Sequence, residues 1–177
     1  MNVDKRVLRK EVRTRLTLLS ASCREEYSAR ICRTLKELLM RHDVKVVALF
    51  SPLADEPQIW PLVEEVSETK LVVLPRVEGE NMQFYPYHGR VAQGAYGIME
   101  PLACGAVEPC EIDVMVVPGV VFTRNGERMG RGKGYYDKYM SHGDFSALKI
   151  GVCYSEQLVP EIPVEGHDIM MDVVIYE

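Results

Sequence analysis

Short runs of β-branched and other apolar residues, separated by segments with helical spacing, constrain the fold of this chain more than any other feature. Runs of this kind are typical of buried strands, and a less apolar stretch at 82–87 predicts an added strand or hairpin. Because the strands alternate with helices, we predict an α/β fold, a three-layer sandwich with a mostly parallel sheet. The runs lie at 44–50 (VKVVALF), 70–75 (KLVVLP), 113–122 (DVMVVPGVVF), 148–154 (LKIGVCY) and 172–176 (DVVIY).

The helices are predicted from apolar positions that recur every three or four residues. A second helix is expected to start at Ser22, because its Ser-x-x-Glu spacing to Glu25 is that of a capping box. We expect a short helix near Trp60 and another over 135–140. The first helix is predicted over 3–19, with apolar positions at Val3, Val7, Leu8, Val12, Leu16 and Leu19.

Length and composition favour one domain over 1–177. The chain has 177 residues, of which 47% are hydrophobic, enough for one buried core and too few residues for two ordinary domains. No apolar stretch is as long as a membrane span, and the first residues lack the apolar region of a secretory signal. The five cysteines form no CxxC pair, which indicates a reduced, cytoplasmic protein.

Charge is distributed unevenly along the chain. Residues 1–41 carry 11 Lys and Arg against 5 Asp and Glu, although the net charge of the whole chain is −5. Lys5, Arg9 and Arg13 are four residues apart, so they share one helix face. Such a face is either solvated or binds an anion, which could be a nucleic acid or a nucleotide phosphate. Residues 1–20 contain no aromatic residue, which disfavours a nucleic-acid partner.

A glycine-rich loop, MGRGKGYYDKYM at 129–140, is the strongest candidate for a ligand site. Glycines let backbone N–H groups approach a phosphate, and Arg131 and Lys133 add positive charge to the loop. Asp137 is well placed for Mg²⁺, which prefers one or two carboxylates together with phosphate oxygens. A tight turn without any ligand is the alternative interpretation. The spacing matches neither a Walker A loop nor the dinucleotide-binding fingerprint.

The longer segment PGVVFTRNGERMGRGKGYYDKY (118–139) resembles the 5-formyltetrahydrofolate cyclo-ligase family. This chain departs from the family pattern at Thr123 and Met129, and no Thr follows Glu56, where the family has E-x-x-T. The resemblance nevertheless extends over nearly the whole chain. Other similar segments are KRVLR (5–9), DEPQ (55–58), LPRV (74–77), YGIMEP (96–101) and the last nineteen residues, 159–177.

The resemblance implies a Rossmann-like fold and an ATP-dependent reaction. ATP and 5-formyltetrahydrofolate would give 5,10-methenyltetrahydrofolate, ADP and phosphate, with Mg²⁺ required. The formyl oxygen would be phosphorylated, and N10 would then close the ring. The implied partners are these small molecules alone, without nucleic acid or membrane, and we expect a monomer.

The resemblance also implies roles for individual residues. Arg131 and Lys133 would be catalytic, Asp137 and Asp168 would bind the metal, and Asp172 is a nearby alternative to Asp168. ATP would be bound by Lys5, Arg9, Arg128, Gly130, Arg131, Gly132, Lys133, Gly134, Tyr135 and Tyr136. The folate substrate would be bound by Ser51, Glu56, Tyr96, Met99, Arg131, Gly132, Lys133, Gly134 and Tyr135.

Structural interpretations compete with several of these roles. Arg128 could be a solvated charge, Glu56 a charge at a helix N-terminus, and one of the two adjacent tyrosines a core residue. His167 is expected at the surface and Trp60 in the core. At the level of function, the alternatives are a sugar-phosphate isomerase or CoA-transferase-like α/β enzyme, neither of which needs ATP, and a nucleic-acid-binding protein that uses the basic first helix.

Overall fold

A six-stranded sheet forms the centre of the molecule in the computed structural model, which describes residues 4–102 and 104–177. Its strands, numbered below in chain order, are arranged β10-β9-β6-β1-β2-β3, and only β3 runs antiparallel to its neighbour. The sheet is flanked by helices, so the predicted α/β fold with a mostly parallel sheet is confirmed. Val3, the first predicted helical position, lies outside the described residues.

The helices are α1 Lys5–Leu16, α2 Ala21–Leu39, α3 Trp60–Ser67 and α4 Tyr135–Met140. The central strands are β1 Val46–Ala48, β2 Leu71–Glu78, β3 Asn81–Pro86, β6 Val114–Val117, β9 Leu148–Cys153 and β10 Val173–Tyr176. Two small antiparallel pairs are formed by β4 Val91–Gln93 with β5 Met99–Pro101, and by β7 Val121–Phe122 with β8 Arg128–Met129. None of the helices in the described ranges is long and apolar enough to cross a membrane.

The two faces of the sheet are covered by different helices, because successive strand residues point to opposite sides. On β1, Val47 packs with α2 and α3, whereas Ala48 packs on the side of α4. On β6, Val116 packs on the side of α2 and α3, and Val117 packs on the side of α4. The result is three layers: a helical layer of α2 and α3, the sheet, and a second layer that contains α4.

A third, smaller core holds α1 away from both sheet faces. Leu8 and Val12 of α1 pack against Val121 of β7 and Met129 of β8, and against Ile162 from the chain after β9. This contact fixes the basic helix beside the loop that follows β8. The position of α1 therefore depends on the same small pair of strands that leads into the glycine loop.

Two details of the predicted elements are wrong. The start of α2 is capped by Ser20, whose side chain accepts from the Cys23 amide at 3.2 Å, and not by a box from Ser22 to Glu25. Ser20 has the extended backbone that a cap requires, whereas Ser22 already lies within the helix. The apolar run 113–122 forms two strands in different sheets, because Pro118-Gly119 separates β6 from β7.

Candidate active site

A cavity of about 730 Å³ lies beyond the carboxyl ends of β1 and β6. Phe50 and Ser51 line it just after β1, and Pro118 and Gly119 line it after β6. The chain proceeds from β1 to β2 in one direction across the sheet and from β6 to β9 in the other, so the cavity lies where the strand order reverses. Ligands in open α/β sheets bind at such a position.

The glycine loop, residues 130–134, forms one wall of this cavity. Gly132 and Gly134 have φ values of +98° and +70°, a backbone conformation that side chains disfavour. Lys133 between them is exposed, with its Nζ 5.9 Å from the centre of the Tyr96 ring. In the described part of the chain, Lys133 forms no ion pair. The loop thus presents an uncompensated cation, as expected of a phosphate-binding segment.

Arg9 from α1 attaches the basic helix to this loop. Its Nε donates to the carbonyl oxygen of Gly130 at 2.7 Å, and its guanidinium lines the cavity. Burial and the nearby Arg13 lower the pKa of Arg9. The terminal nitrogens of Arg9 have no hydrogen-bond partner among the residues described, so they remain available to an anion.

Arg131 crosses the cavity to the opposite wall. Its guanidinium pairs with Asp55 and with Glu56, the latter at 2.9 Å between Nη2 and Oε1. The resemblance assigned Glu56 to the folate only, and the structure places it in direct contact with Arg131 of the glycine loop.

The second wall is the Glu56 segment, residues 53–58, which has no helix or strand. Glu56 is 5% exposed, and its Oε2 accepts from the Leu53 amide at 2.9 Å. Burial raises the pKa of Glu56, although the Leu53 amide and the Arg131 guanidinium oppose that shift. Because α3 begins only at Trp60, Glu56 lies outside its first turn and is not the helix N-terminal charge of the alternative interpretation.

Arg128 and Asp137 form a part-buried ion pair at the floor of the cavity, 2.7 Å between Nη2 and Oδ2. The Arg128 side chain is 2% exposed, so the solvated-charge interpretation is wrong. Its Nη1 donates to the Pro118 carbonyl oxygen, whereas its Nε has no partner in the described ranges. The other oxygen of Asp137 accepts from the Ile169 amide at 3.2 Å.

Lys5 and Asp168 meet at the cavity edge, with Nζ and Oδ2 2.9 Å apart, and Lys5 also pairs with Glu165. Partial burial of Asp168 by itself raises its pKa. The hydrogen bonds from Lys5 and the Glu165 amide outweigh this effect and hold the pKa of Asp168 below its ordinary value. Asp172, the alternative carboxylate, pairs instead with Lys149 and does not line the cavity. His167 is exposed, as expected.

These carboxylates fit a magnesium site only in part. The described ranges contain no cluster of three or more His, Cys, Asp or Glu able to hold a metal. Both oxygens of Asp137 already accept hydrogen bonds, whereas among the described residues Oδ1 of Asp168 has only a 3.8 Å contact with His167. One carboxylate completed by phosphate oxygens is a usual Mg²⁺ environment, so Asp168 fits better than Asp137.

The tyrosines divide between cavity rim and core. Tyr96 is 60% exposed, has a strained φ of +58°, and lies with its hydroxyl 3.3 Å from that of Tyr135. Tyr136 packs against the core and also lines the cavity, and burial strongly raises its pKa. Met99 does not line the cavity, and its amide donates to the Ser51 hydroxyl at 3.1 Å.

Sequence reasoning missed Glu100 and a second, shallower cavity. Glu100 lines the main cavity, is largely buried and accepts from the Val77 amide at 3.1 Å. Its only signal was its place in the segment YGIMEP. The second cavity, of about 460 Å³, is a basic groove along α1 that shares two arginines with the main one. It is lined by Arg6, Arg9, Lys10, Arg13, Thr14, Thr17 and Arg131.

Comparison with known proteins finds relatives that share one enzyme name. The chain is 26% identical to the 5-formyltetrahydrofolate cyclo-ligase of Mus musculus, over all of this chain and 95% of the relative. It is 30% identical to the enzyme of that name from Escherichia coli K12, over 80% of this chain and 81% of the relative. The solved structure of Aquifex aeolicus 5,10-methenyltetrahydrofolate synthetase superimposes with a TM-score of 0.86 at 37% identity, covering 97% of this chain and 89% of that one.

The model of the 5-formyltetrahydrofolate cyclo-ligase family matches residues 1–177. The match therefore includes the glycine loop, the Glu56 segment and the basic helix. The resemblance inferred from the sequence is confirmed: the chain belongs to the 5-formyltetrahydrofolate cyclo-ligase family of enzymes.

Proposed function

We propose that this protein converts 5-formyltetrahydrofolate and ATP into 5,10-methenyltetrahydrofolate, ADP and phosphate. Family membership and the names of the relatives support the reaction class. The observation that carries the proposal is the contact of Arg131 with Glu56. It joins a wall suited to a neutral, hydrogen-bonding ring system with a wall suited to phosphates inside one cavity.

The chemistry follows from the weakness of a formamide as an electrophile. N10 cannot expel oxide from the formyl carbon, so the formyl oxygen must first become part of a better leaving group. That oxygen attacks the γ-phosphorus, and the bond from phosphorus to the β-γ bridging oxygen breaks to release ADP. N10 then bonds to the formyl carbon and loses its proton, while the carbon–oxygen bond breaks and phosphate leaves.

Phosphoryl transfer of this kind depends mainly on position and charge. Lys133 carries an exposed cation without an ion-pair partner in the described chain, so it can bind the γ-phosphate directly. Arg9 supplies two guanidinium nitrogens beside Gly130 that have no hydrogen-bond partner in the described ranges. Arg131 uses Nε and Nη2 for its carboxylate partners, and its Nη1, which has no hydrogen-bond partner among the described residues, can donate to a phosphoryl oxygen. Together these cations would stabilise the charge that develops on the transferring group.

The folate ring system would bind against the Glu56 segment. Arg131 and the Leu53 amide each occupy one oxygen of Glu56, and the lone pairs that remain can accept N–H groups of the pteridine. The exposed ring of Tyr96 stands at the rim, close to Tyr135 and Lys133. Apolar walls from Phe50, Val77, Met82 and Ile98 suit a planar ring.

Mg²⁺ would be held by Asp168 together with phosphate oxygens, and bound there it would neutralise part of the triphosphate charge. Asp137 would contribute through its hold on Arg128 unless it exchanges that partner for the metal. A monomeric, cytoplasmic protein with one domain over 1–177 and no nucleic-acid partner completes the proposal.

The test is to mix the protein with ATP, Mg²⁺ and 5-formyltetrahydrofolate and to follow the absorbance of the methenyl product. We expect absorbance to rise with both substrates present, and ADP to form in equal amount. Omission of ATP should abolish the signal. Methenyl formation without ATP, or ATP-independent turnover of a sugar phosphate or a CoA ester, would overturn the proposal in favour of the other α/β enzymes.

A further inference from the structure

Three buried polar side chains lie behind the cavity walls without lining the cavity: Ser28 of α2, and Tyr154 and Gln157 after β9. Tyr154 is 1% exposed and Gln157 is completely buried. Buried polar groups cost free energy unless they are hydrogen-bonded, so their partners indicate what they hold in place.

Ser28 and Tyr154 together bind both ends of a short stretch of backbone beside Glu56. The Gln58 amide donates to Ser28 Oγ at 3.0 Å, and the Tyr154 hydroxyl donates to the Glu56 carbonyl oxygen at 3.2 Å. The two hydroxyls lie 3.0 Å apart. Because a carbonyl only accepts, the Tyr154 proton is used there, and Ser28 must donate to Tyr154.

Gln157 extends this network to the other strand end of the cavity. Its Oε1 accepts from the Tyr154 amide at 2.9 Å, and its Nε2 donates to the carbonyl oxygen of Gly119 at 2.8 Å and of Val120 at 3.2 Å. Gly119 lines the cavity beside Pro118, whose carbonyl oxygen accepts from Arg128. One chain of hydrogen bonds therefore runs from the Glu56 segment to the wall after β6.

We infer that Tyr154 and Ser28 are positioning residues that fix the Glu56 carboxylate for substrate, and this inference rests on the proposed function. The Glu56 segment lacks regular secondary structure, so helix or strand bonds do not fix it. Its outer side is held by Arg131, a residue that would also bind phosphate. The inner contacts come from α2 and from the chain after β9, so they do not depend on the glycine loop.

Tyr139 provides a matched control for the Tyr154 hydroxyl. It is also a buried tyrosine, it lies in α4 and it does not line the cavity. Its hydroxyl has no hydrogen-bond partner among the residues that the structure describes. Tyr139→Phe therefore removes the same atom from the same kind of environment without releasing any segment of the cavity wall.

The experiment compares Tyr154→Phe, Ser28→Ala, the double variant and Tyr139→Phe in the methenyl assay. Loss of a buried hydrogen bond should raise the KM for 5-formyltetrahydrofolate about fivefold to tenfold in each of the first two variants, with the KM for ATP changed by less than about twofold. In the double variant, the rise in the KM for 5-formyltetrahydrofolate should be smaller than the product of the two single rises, because the two hydroxyls belong to one hydrogen-bond network. Tyr139→Phe should leave both KM values unchanged.

Hydrogen exchange provides a readout that does not require activity. The Gln58 amide should exchange faster in Tyr154→Phe and in Ser28→Ala, but at the wild-type rate in Tyr139→Phe. If the KM values for both substrates rise equally, or if neither rises, the positioning role is wrong. An inactive wild-type protein would defeat the proposed function instead, and unchanged Gln58 exchange in both variants would then still contradict the inference.

Discussion

The two walls of the cavity are built in opposite ways. Glu56 is buried and held by the Leu53 amide, by Arg131 and, through its backbone, by Tyr154. The glycine loop opposite is exposed, and Lys133 within it forms no ion pair with any described residue. The neutral pteridine ring would bind more tightly to a preformed wall, because little conformational freedom is then lost on binding. A phosphoryl group that is transferred needs cations that can change their contacts during the reaction.

Arg131 makes the comparison instructive because it belongs to both walls. Its backbone is in the glycine loop and its guanidinium lies on Glu56. Ligands on the two walls would compete for this side chain or share it, so each wall affects the other. Variants that act on only one wall therefore test whether the division is real.

The largest effect is expected at the floor of the cavity, where Arg128 holds Asp137 and the Pro118 carbonyl oxygen. Arg128→Met removes the cation from Asp137, whose side chain is 15% exposed, and breaking a largely buried pair costs up to about 5 kcal/mol of unfolding free energy. Urea denaturation would measure the loss. Arg124→Met, at an exposed arginine, is the control, and equal stability of the two variants would mean that the ion pair carries little weight.

Lys133→Ala should cost about 2–4 kcal/mol of transition-state stabilisation, seen as a fall in kcat/KM, because it removes a charge-assisted phosphate contact. Lys138→Ala is the matched control, since Lys138 is exposed in α4 and its Nζ reaches only the Glu80 carbonyl oxygen, at 3.5 Å. Equal activity in both variants would remove the glycine loop from the phosphate site.

Glu56→Gln should raise the KM for 5-formyltetrahydrofolate by about tenfold, a free-energy change of about 1.4 kcal/mol. The carboxylate has two oxygens that accept hydrogen bonds, whereas the amide has one such oxygen and an NH2 group that donates. The KM for ATP should not rise, since the loss of charge loosens the hold on Arg131. The two KM values, measured separately, test this. A parallel rise in both would show that Glu56 supports the whole cavity and does not serve one ligand.

The smallest effect distinguishes the two proposed metal carboxylates. Asp168→Asn should shift the magnesium dependence of the reaction to higher concentration, by about tenfold or less, because the amide is a weaker ligand for a hard cation. Asp137→Asn should shift it less, since both of its oxygens already have partners. The reverse order would place the metal on Asp137 and require Arg128 to release it.

The local features of the site could be predicted from the sequence, and its long-range contacts could not. The short helix α4 follows from residue types next to one another, so its prediction over 135–140 is confirmed. The contact between Arg131 and Glu56 joins residues 75 positions apart. No periodicity encodes such a pair, because it depends on how β1 and β6 come to lie side by side.

Two further failures have the same origin. The sequence places Tyr154 at the end of a predicted apolar strand, and only the fold shows that its hydroxyl donates to the backbone of Glu56. Arg128 was weighed as a solvated charge because Arg usually is one, whereas the fold buries it against Asp137. Burial depends on how the layers pack together, so it cannot be predicted from the type of a single residue.

The central claim is that the two walls bring the formyl oxygen to the γ-phosphorus. The most direct test uses 5-formyltetrahydrofolate labelled with heavy oxygen in the formyl group, with mass analysis of the inorganic phosphate after turnover. The account predicts one labelled oxygen per phosphate released and a methenyl product without label. Unlabelled phosphate, with the heavy oxygen recovered in water, would contradict it. ATP hydrolysis would then occur alongside ring closure without phosphorylation of the formyl oxygen.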